Sequence, residues 1–221
     1  FVMKLKFPYD AVETEDKKMG MFSRKDMVRL FGPLLVEQLL AVLVGMADVV
    51  MVAAVGETAV SGVALVDSIS VLVIQVLSAM ATGGAVVCAQ YIGKKRQDQA
   101  CRAAGQLVLI TAVLSLLIAS AAFIGNRHLL RLIFGSVETE VMDNAATYFW
   151  FTAMSYPFLA LYNSGAALFR SMGNSKVSMK VSLAMNAINV AGNALCVFGL
   201  RMGVEGVAIP TLLSRMFAAV V

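Results

Sequence analysis

Residues Leu30 to Val55 read LFGPLLVEQLLAVLVGMADVVMVAAV. A bilayer span needs roughly 20 mostly apolar residues, and this stretch meets that length with Glu37 and Asp48 as its charged residues. A charge at membrane depth costs roughly 3 kcal/mol, so each acid needs a partner or a water-lined cavity. They stand eleven positions apart. At ~100° per residue that is almost three full turns, which places both on one helix face.

Working outward, further apolar blocks follow at Ala59–Ile92, Ala103–Ile124, Met142–Phe169 and Val177–Leu200, and another runs from Gly206 to the end of the sequence at Val221. Their pattern predicts an all-α membrane protein with six transmembrane helices, preceded by a polar lead-in over residues 1–28 and occupying 29–221. Composition agrees. The chain is 59% hydrophobic and 14% charged, against roughly 25% charge in soluble domains, and its mean hydropathy is +0.80. Ser23 to Asp26 is expected to cap a short surface helix, and Asn126 to Phe134 to lie in the interface as a short amphipathic piece.

Basic residues sort by loop. Lys4, Lys6, Lys17, Lys18, Arg24, Lys25 and Arg29 crowd the lead-in. Lys94, Lys95, Arg96 and Arg102 follow the second block, and Arg170, Lys176 and Lys180 the fourth. The alternation predicts that these three segments are cytoplasmic, with a cytoplasmic N-terminus in the cell inner (plasma) membrane. Tyr148 and Trp150 then fall toward the outer interface, as aromatic anchors. No basic helix face with interleaved aromatics is present, so no nucleic-acid partner is expected.

Asp48 has no cation nearby on its own helix. Low dielectric disfavours an unpartnered carboxylate, which must meet another helix, a bound cation or a proton. A role in ion coupling is the preferred reading, and a structural carboxylate the bland one. Asn186, Asn189 and Asn193 fall within ~60° of arc and cannot face lipid unsatisfied. They are read either as ligands of a hard cation or as glue between helices. Asp67 and Glu37 are each open to a bland interfacial role. The fourth block holds Tyr156, Pro157, Tyr162 and Asn163, where Pro157 can kink the helix. Arg215, in the last block, is expected to snorkel or to pair with an acid. Cys88, Cys101 and Cys196 lack metal or disulfide spacing, and His128 has no second ligand. No nucleophile elbow, HExxH or Walker loop is present, so an enzyme is not expected.

Several segments carry a resemblance. Pro33 through Gln38 and Val44 through Val52 are similar to the first helix of the multidrug and toxic compound extrusion (MATE) family. Met80-Ala81-Thr82-Gly83-Gly84 followed by Ala89-Gln90-Tyr91-Ile92-Gly93 resembles the end of its second. Arg170 through Lys176 resembles the connection between the fourth and fifth, Asn186 through Asn193 the fifth, and Gly203 through Thr211 the start of the sixth.

The resemblance implies a twelve-helix antiporter of two six-helix lobes, exporting organic cations and other amphipathic compounds in exchange for Na⁺ or H⁺, without a further cofactor. It implies that Asp48 binds the coupling ion or proton, with Asn189, Asn193 and Thr211 as partners, and that Asp48, Asn189 and Asn193 form the possible Na⁺ site. Some members carry Asp where this chain has Asn193, which leaves the choice of ion open. Candidates for the substrate pathway are Glu37, Gln38, Asp67, Tyr156, Asn163 and Asn186. The chain is then the N-terminal half of its protein, with a C-terminal lobe, the lipid bilayer and cationic or amphipathic small molecules as partners. The rivals are a flippase of lipid-linked oligosaccharides from the same superfamily, whose head group calls for several cations, and a membrane scaffold that transports nothing.

Overall fold

The computed structural model describes residues 24–221; the polar lead-in up to Ser23, including the start of the expected surface helix, lies outside them. Six α-helices follow in order: α1 Arg24–Ala53, α2 Glu57–Gly93, α3 Gln97–Phe134, α4 Thr139–Ser171, α5 Ser175–Ala194 and α6 Glu205–Val220. A π-helical turn, Leu195–Gly199, continues α5.

Four of these helices are long and apolar enough to cross a membrane: α1 from Phe31, α2, α3, and α5 with its π turn. The sequence pattern led us to expect six. α6 is short, at 16 residues, and carries Glu205 and Arg215. α4 is the central helix of the bundle, packed on α2, α3, α5 and α6. Its neighbours cover it, so it can bury Thr152, Ser155 and Ser164 beside Tyr156 and Phe149. An outward apolar surface is needed only where a helix meets lipid.

The boundaries moved in two places. α1 begins at Arg24 and runs through Pro33 without interruption. The expected interfacial piece Asn126–Phe134 forms the last turns of α3. Asn126 explains that continuation, because its Nδ2 donates to the Ala146 carbonyl of α4 at 2.8 Å.

Between α4 and α5 the chain reverses through a Schellman cap. The Asn174 N–H reaches the Phe169 carbonyl at 2.9 Å and the Gly173 N–H reaches Arg170 at 3.0 Å. Gly173 sits at φ 77°, a conformation that costs glycine little.

Buried hydroxyls join the helices. Thr111 Oγ1 and Ser164 Oγ are 2.8 Å apart across α3 and α4, and Ser70 Oγ and Tyr156 Oη are 3.1 Å apart across α2 and α4. Such bonds hold helices where lipid offers no hydrophobic drive between them.

Close backbone approach does the same. A Cβ on Gly62 of α2 would fall 2.9 Å from the backbone nitrogen of Ala145 on α4, whereas one on Gly83 would meet nothing within 4 Å. The two glycines should therefore respond oppositely to alanine. Gly62→Ala should cost about 1–3 kcal/mol through overpacking, while Gly83→Ala should add about 0.5–1 kcal/mol. Thermal unfolding of the purified protein in detergent measures both signs.

Candidate functional site

Five helices converge on a hollow of about 340 Å³. α1 contributes Asp48, α2 Asp67, α4 Tyr148, α5 Asn186 and Asn189, and α6 Thr211, Ser214 and Arg215. The remaining wall is largely aliphatic, including Val44, Val52 and Val63.

A chain of hydrogen bonds starts at the half-buried Asp48. Asn193 Nδ2 donates to Asp48 Oδ1 at 2.7 Å and lies 3.3 Å from Asn189 Oδ1. Asn189 Nδ2 donates to Thr211 Oγ1 at 3.0 Å, and Thr211 donates to the Val207 carbonyl at 2.9 Å. Asp48, Asn189, Asn193 and Thr211 are thus one connected group across α1, α5 and α6. Spacing on α5 alone put Asn189 and Asn193 on one face; the contact with α1 is a product of the fold.

Asn193 is wholly buried, and its Oδ1 has no hydrogen-bond partner. Asn186 Nδ2 is likewise buried without one. The π turn opens two residues after Asn193, with the Leu200 N–H on the Leu195 carbonyl at 3.0 Å. Such turns are frequent at functional sites, and nothing in the sequence marked this one.

Across the hollow, the Tyr148 hydroxyl donates to Asp67 Oδ1 at 3.4 Å. Tyr148 was expected as an outer-interface anchor; it is buried and turned inward. Trp150 keeps an exposed edge and packs against Phe123 and Phe151. Arg215 neither snorkels nor forms an ion pair among the described residues. Its Nη1 donates to Ser155 Oγ of α4 at 2.5 Å, beside the hollow. Thr211, Ser214 and Arg215 share one face of α6 at i, i+3 and i+4, a signal that could have placed Arg215 with Thr211.

The pathway candidates divide. Asp67 and Asn186 line the hollow. Glu37, Gln38, Tyr156 and Asn163 do not. Gln38 is exposed on α1. Tyr156 is buried against Ser70, and the Nδ2 of Asn163 is buried without a partner.

Glu37 builds a second polar cluster at the other end of α1. Tyr162 donates to its Oε1 at 3.2 Å, Ser178 donates to its Oε2 at 3.1 Å, and Arg170 Nη1 stands 3.7 Å from Oε1. One carboxylate therefore ties α1 to both α4 and α5. Glu37→Leu should remove the acceptor that the tyrosine, the serine and the guanidinium share. The expected loss is about 1–3 kcal/mol, with Glu37→Gln closer to the unaltered protein; thermal unfolding in detergent separates them.

Among the described residues no three His, Cys, Asp or Glu side chains cluster as a metal site. Any cation held by the Asp48, Asn189, Asn193 and Thr211 group would meet a mixed set of one carboxylate, amide oxygens and a hydroxyl.

Comparison with known proteins adds the following. The family model MatE matches residues 33–195. The chain is 28% identical over 209 residues to the uncharacterized transporter YisQ of Bacillus subtilis strain 168, covering 93% of this chain and 44% of that protein. It is 27% identical over 203 residues to the probable multidrug resistance protein NorM of Thermotoga maritima, covering 89% and 43%. It thus spans less than half the length of both relatives.

Among solved structures, it superposes with a TM-score of 0.83 on a multidrug resistance MATE family transporter of the MOP superfamily in an outward-facing conformation, at 21% identity, over 89% of this chain and 43% of that one. A MOP superfamily transporter from Pyrococcus furiosus, described as having a binding pocket of reverse polarity, matches with the same TM-score, identity and coverage. At that identity the structural likeness speaks for the fold.

Proposed function

Because this chain belongs to the MatE family of membrane transporters, we propose that it works as the N-terminal lobe of a two-lobe secondary antiporter that exports organic cations in exchange for Na⁺ or H⁺. The observation that carries the proposal is Asp48, a carboxylate facing a hollow with a neutral amide as its hydrogen-bond partner. An ionised acid so placed is costly without a cation. Drug cation, proton and Na⁺ can each neutralise it, and competition for that one charge couples the flow of ion to the flow of drug. Differential affinity for the two access states then shifts the protein between them.

The donor set suits a hard cation. Asp48 supplies the charge, Asn189 and Thr211 supply oxygens, and the buried Oδ1 of Asn193 has none of its capacity spent within the protein. The hydroxyl and amide oxygens favour Na⁺; the carboxylate alone suffices for H⁺. By charge alternation the hollow lies in the outer half of the plasma membrane and the Glu37 cluster toward the cytoplasm.

Purified two-lobe protein in liposomes loaded with a cationic dye tests the exchange. Imposing an inward Na⁺ or proton gradient should drive dye out, and one of the two ions should suffice. Dye movement indifferent to both gradients would rule the antiporter out.

A further inference from the structure

The acids of the described helices are not equally compensated. Glu37 faces the guanidinium of Arg170 at 3.7 Å. Asp67 and Asp48 share the hollow with one cation, Arg215. That guanidinium is held by Ser155 of α4 and, among the described residues, is in an ion pair with neither acid. Tyr148 stands with Asp67, its hydroxyl on the carboxylate. Asp48 is held instead by the neutral amide of Asn193.

We propose that Arg215 offsets the charge of one of the two carboxylates, so that the hollow keeps a single uncompensated negative charge and takes one monovalent cation at a time. The inference rests on the exporter reading above and adds to it a rule for substrate charge. Two carboxylates and one guanidinium sum to one negative charge. A coupling ion brings the sum to zero, and so does a monocationic substrate. Loading both together, or a dication, leaves an excess positive charge where low dielectric makes it expensive. Exchange then runs one for one, and selectivity against dications is built into α6 rather than into the shape of the cavity.

The test uses the two-lobe protein in detergent, with equilibrium binding of tetraphenylphosphonium as the monocation and methyl viologen as the dication. The unaltered protein should bind tetraphenylphosphonium at least about tenfold more tightly than methyl viologen. Arg215→Gln leaves two negative charges, and the preference should shift toward the dication by about tenfold. Asp67→Asn leaves a net charge of zero, and monocation affinity should fall by about tenfold.

The double variant D67N/R215Q restores one negative charge. It should recover monocation affinity to within about threefold of the unaltered protein. A packing role for either residue predicts no such recovery, and the double variant remains informative even where Arg215→Gln alone unfolds. A folded double variant that binds as poorly as Asp67→Asn overturns this inference and leaves the exporter reading standing. If the unaltered protein binds no tetraphenylphosphonium at all, the exporter reading fails and this inference with it.

Discussion

Asp48→Asn in the two-lobe protein should abolish export of cationic dyes, bringing cellular accumulation to the level of cells that lack the transporter. The substitution keeps the shape of the side chain. Its amide oxygen can still accept from Asn193 Nδ2, which donates to Asp48 at 2.7 Å, so α1 stays docked on α5. What it removes is the charge for which, in the proposed mechanism, ion and drug compete. Thermal stability should hold or rise, because an acid without a cationic partner no longer has to be buried. The decisive pair of measurements is dye efflux together with membrane expression level. Normal expression with undiminished efflux would show that this carboxylate does not drive the cycle.

Asn193→Leu should be nearly as damaging, for a different reason. The charge remains but its amide donor is gone, and a hydrogen bond to an ionised group contributes roughly 1.5–3 kcal/mol. Asn189 loses the neighbour 3.3 Å from its Oδ1 as well. We expect the half-saturating concentration of the coupling ion to shift by roughly tenfold or more, with efflux reduced in step. Asn193→Asp is the instructive companion. It adds a carboxylate beside Asp48 and should strengthen dependence on Na⁺ over H⁺. An unchanged ion dependence in both variants would remove α5 from the coupling site.

The apolar blocks made the helices readable. Lipid as solvent demands long uninterrupted stretches, and most of their edges agree with the observed helices to within a few residues; the exceptions are α1, which starts at Arg24, and α3, which starts at Gln97 and runs on through Asn126–Phe134. The hydrogen-bonded group around Asp48 was half readable. Periodicity put Glu37 and Asp48 on one face of α1 and aligned the asparagines on α5. It could not tell which face meets which helix, because rotation about each axis is set by packing among neighbours.

That is why Glu37, a candidate for the drug path, turned out to tie α1 to Tyr162, Ser178 and Arg170. Tyr148 looked like an interfacial anchor for the same reason. The bundle turns its ring toward Asp67. Arg215 was the costliest omission from the candidate site. A lone basic residue in an apolar block invites the snorkelling reading until the Ser155 contact across α4 is seen.

The size of the hollow has a consequence of its own. At about 340 Å³ it sits at the small end of drug-sized ligand pockets, which run from roughly 300 to 1,000 Å³. A bulky amphiphile using this lobe would enter head first, its charged tip beside the acids and its greasy body left outside. Recognition would then read the tip and stay indifferent to the body, which is how one small recess could serve chemically dissimilar cargoes.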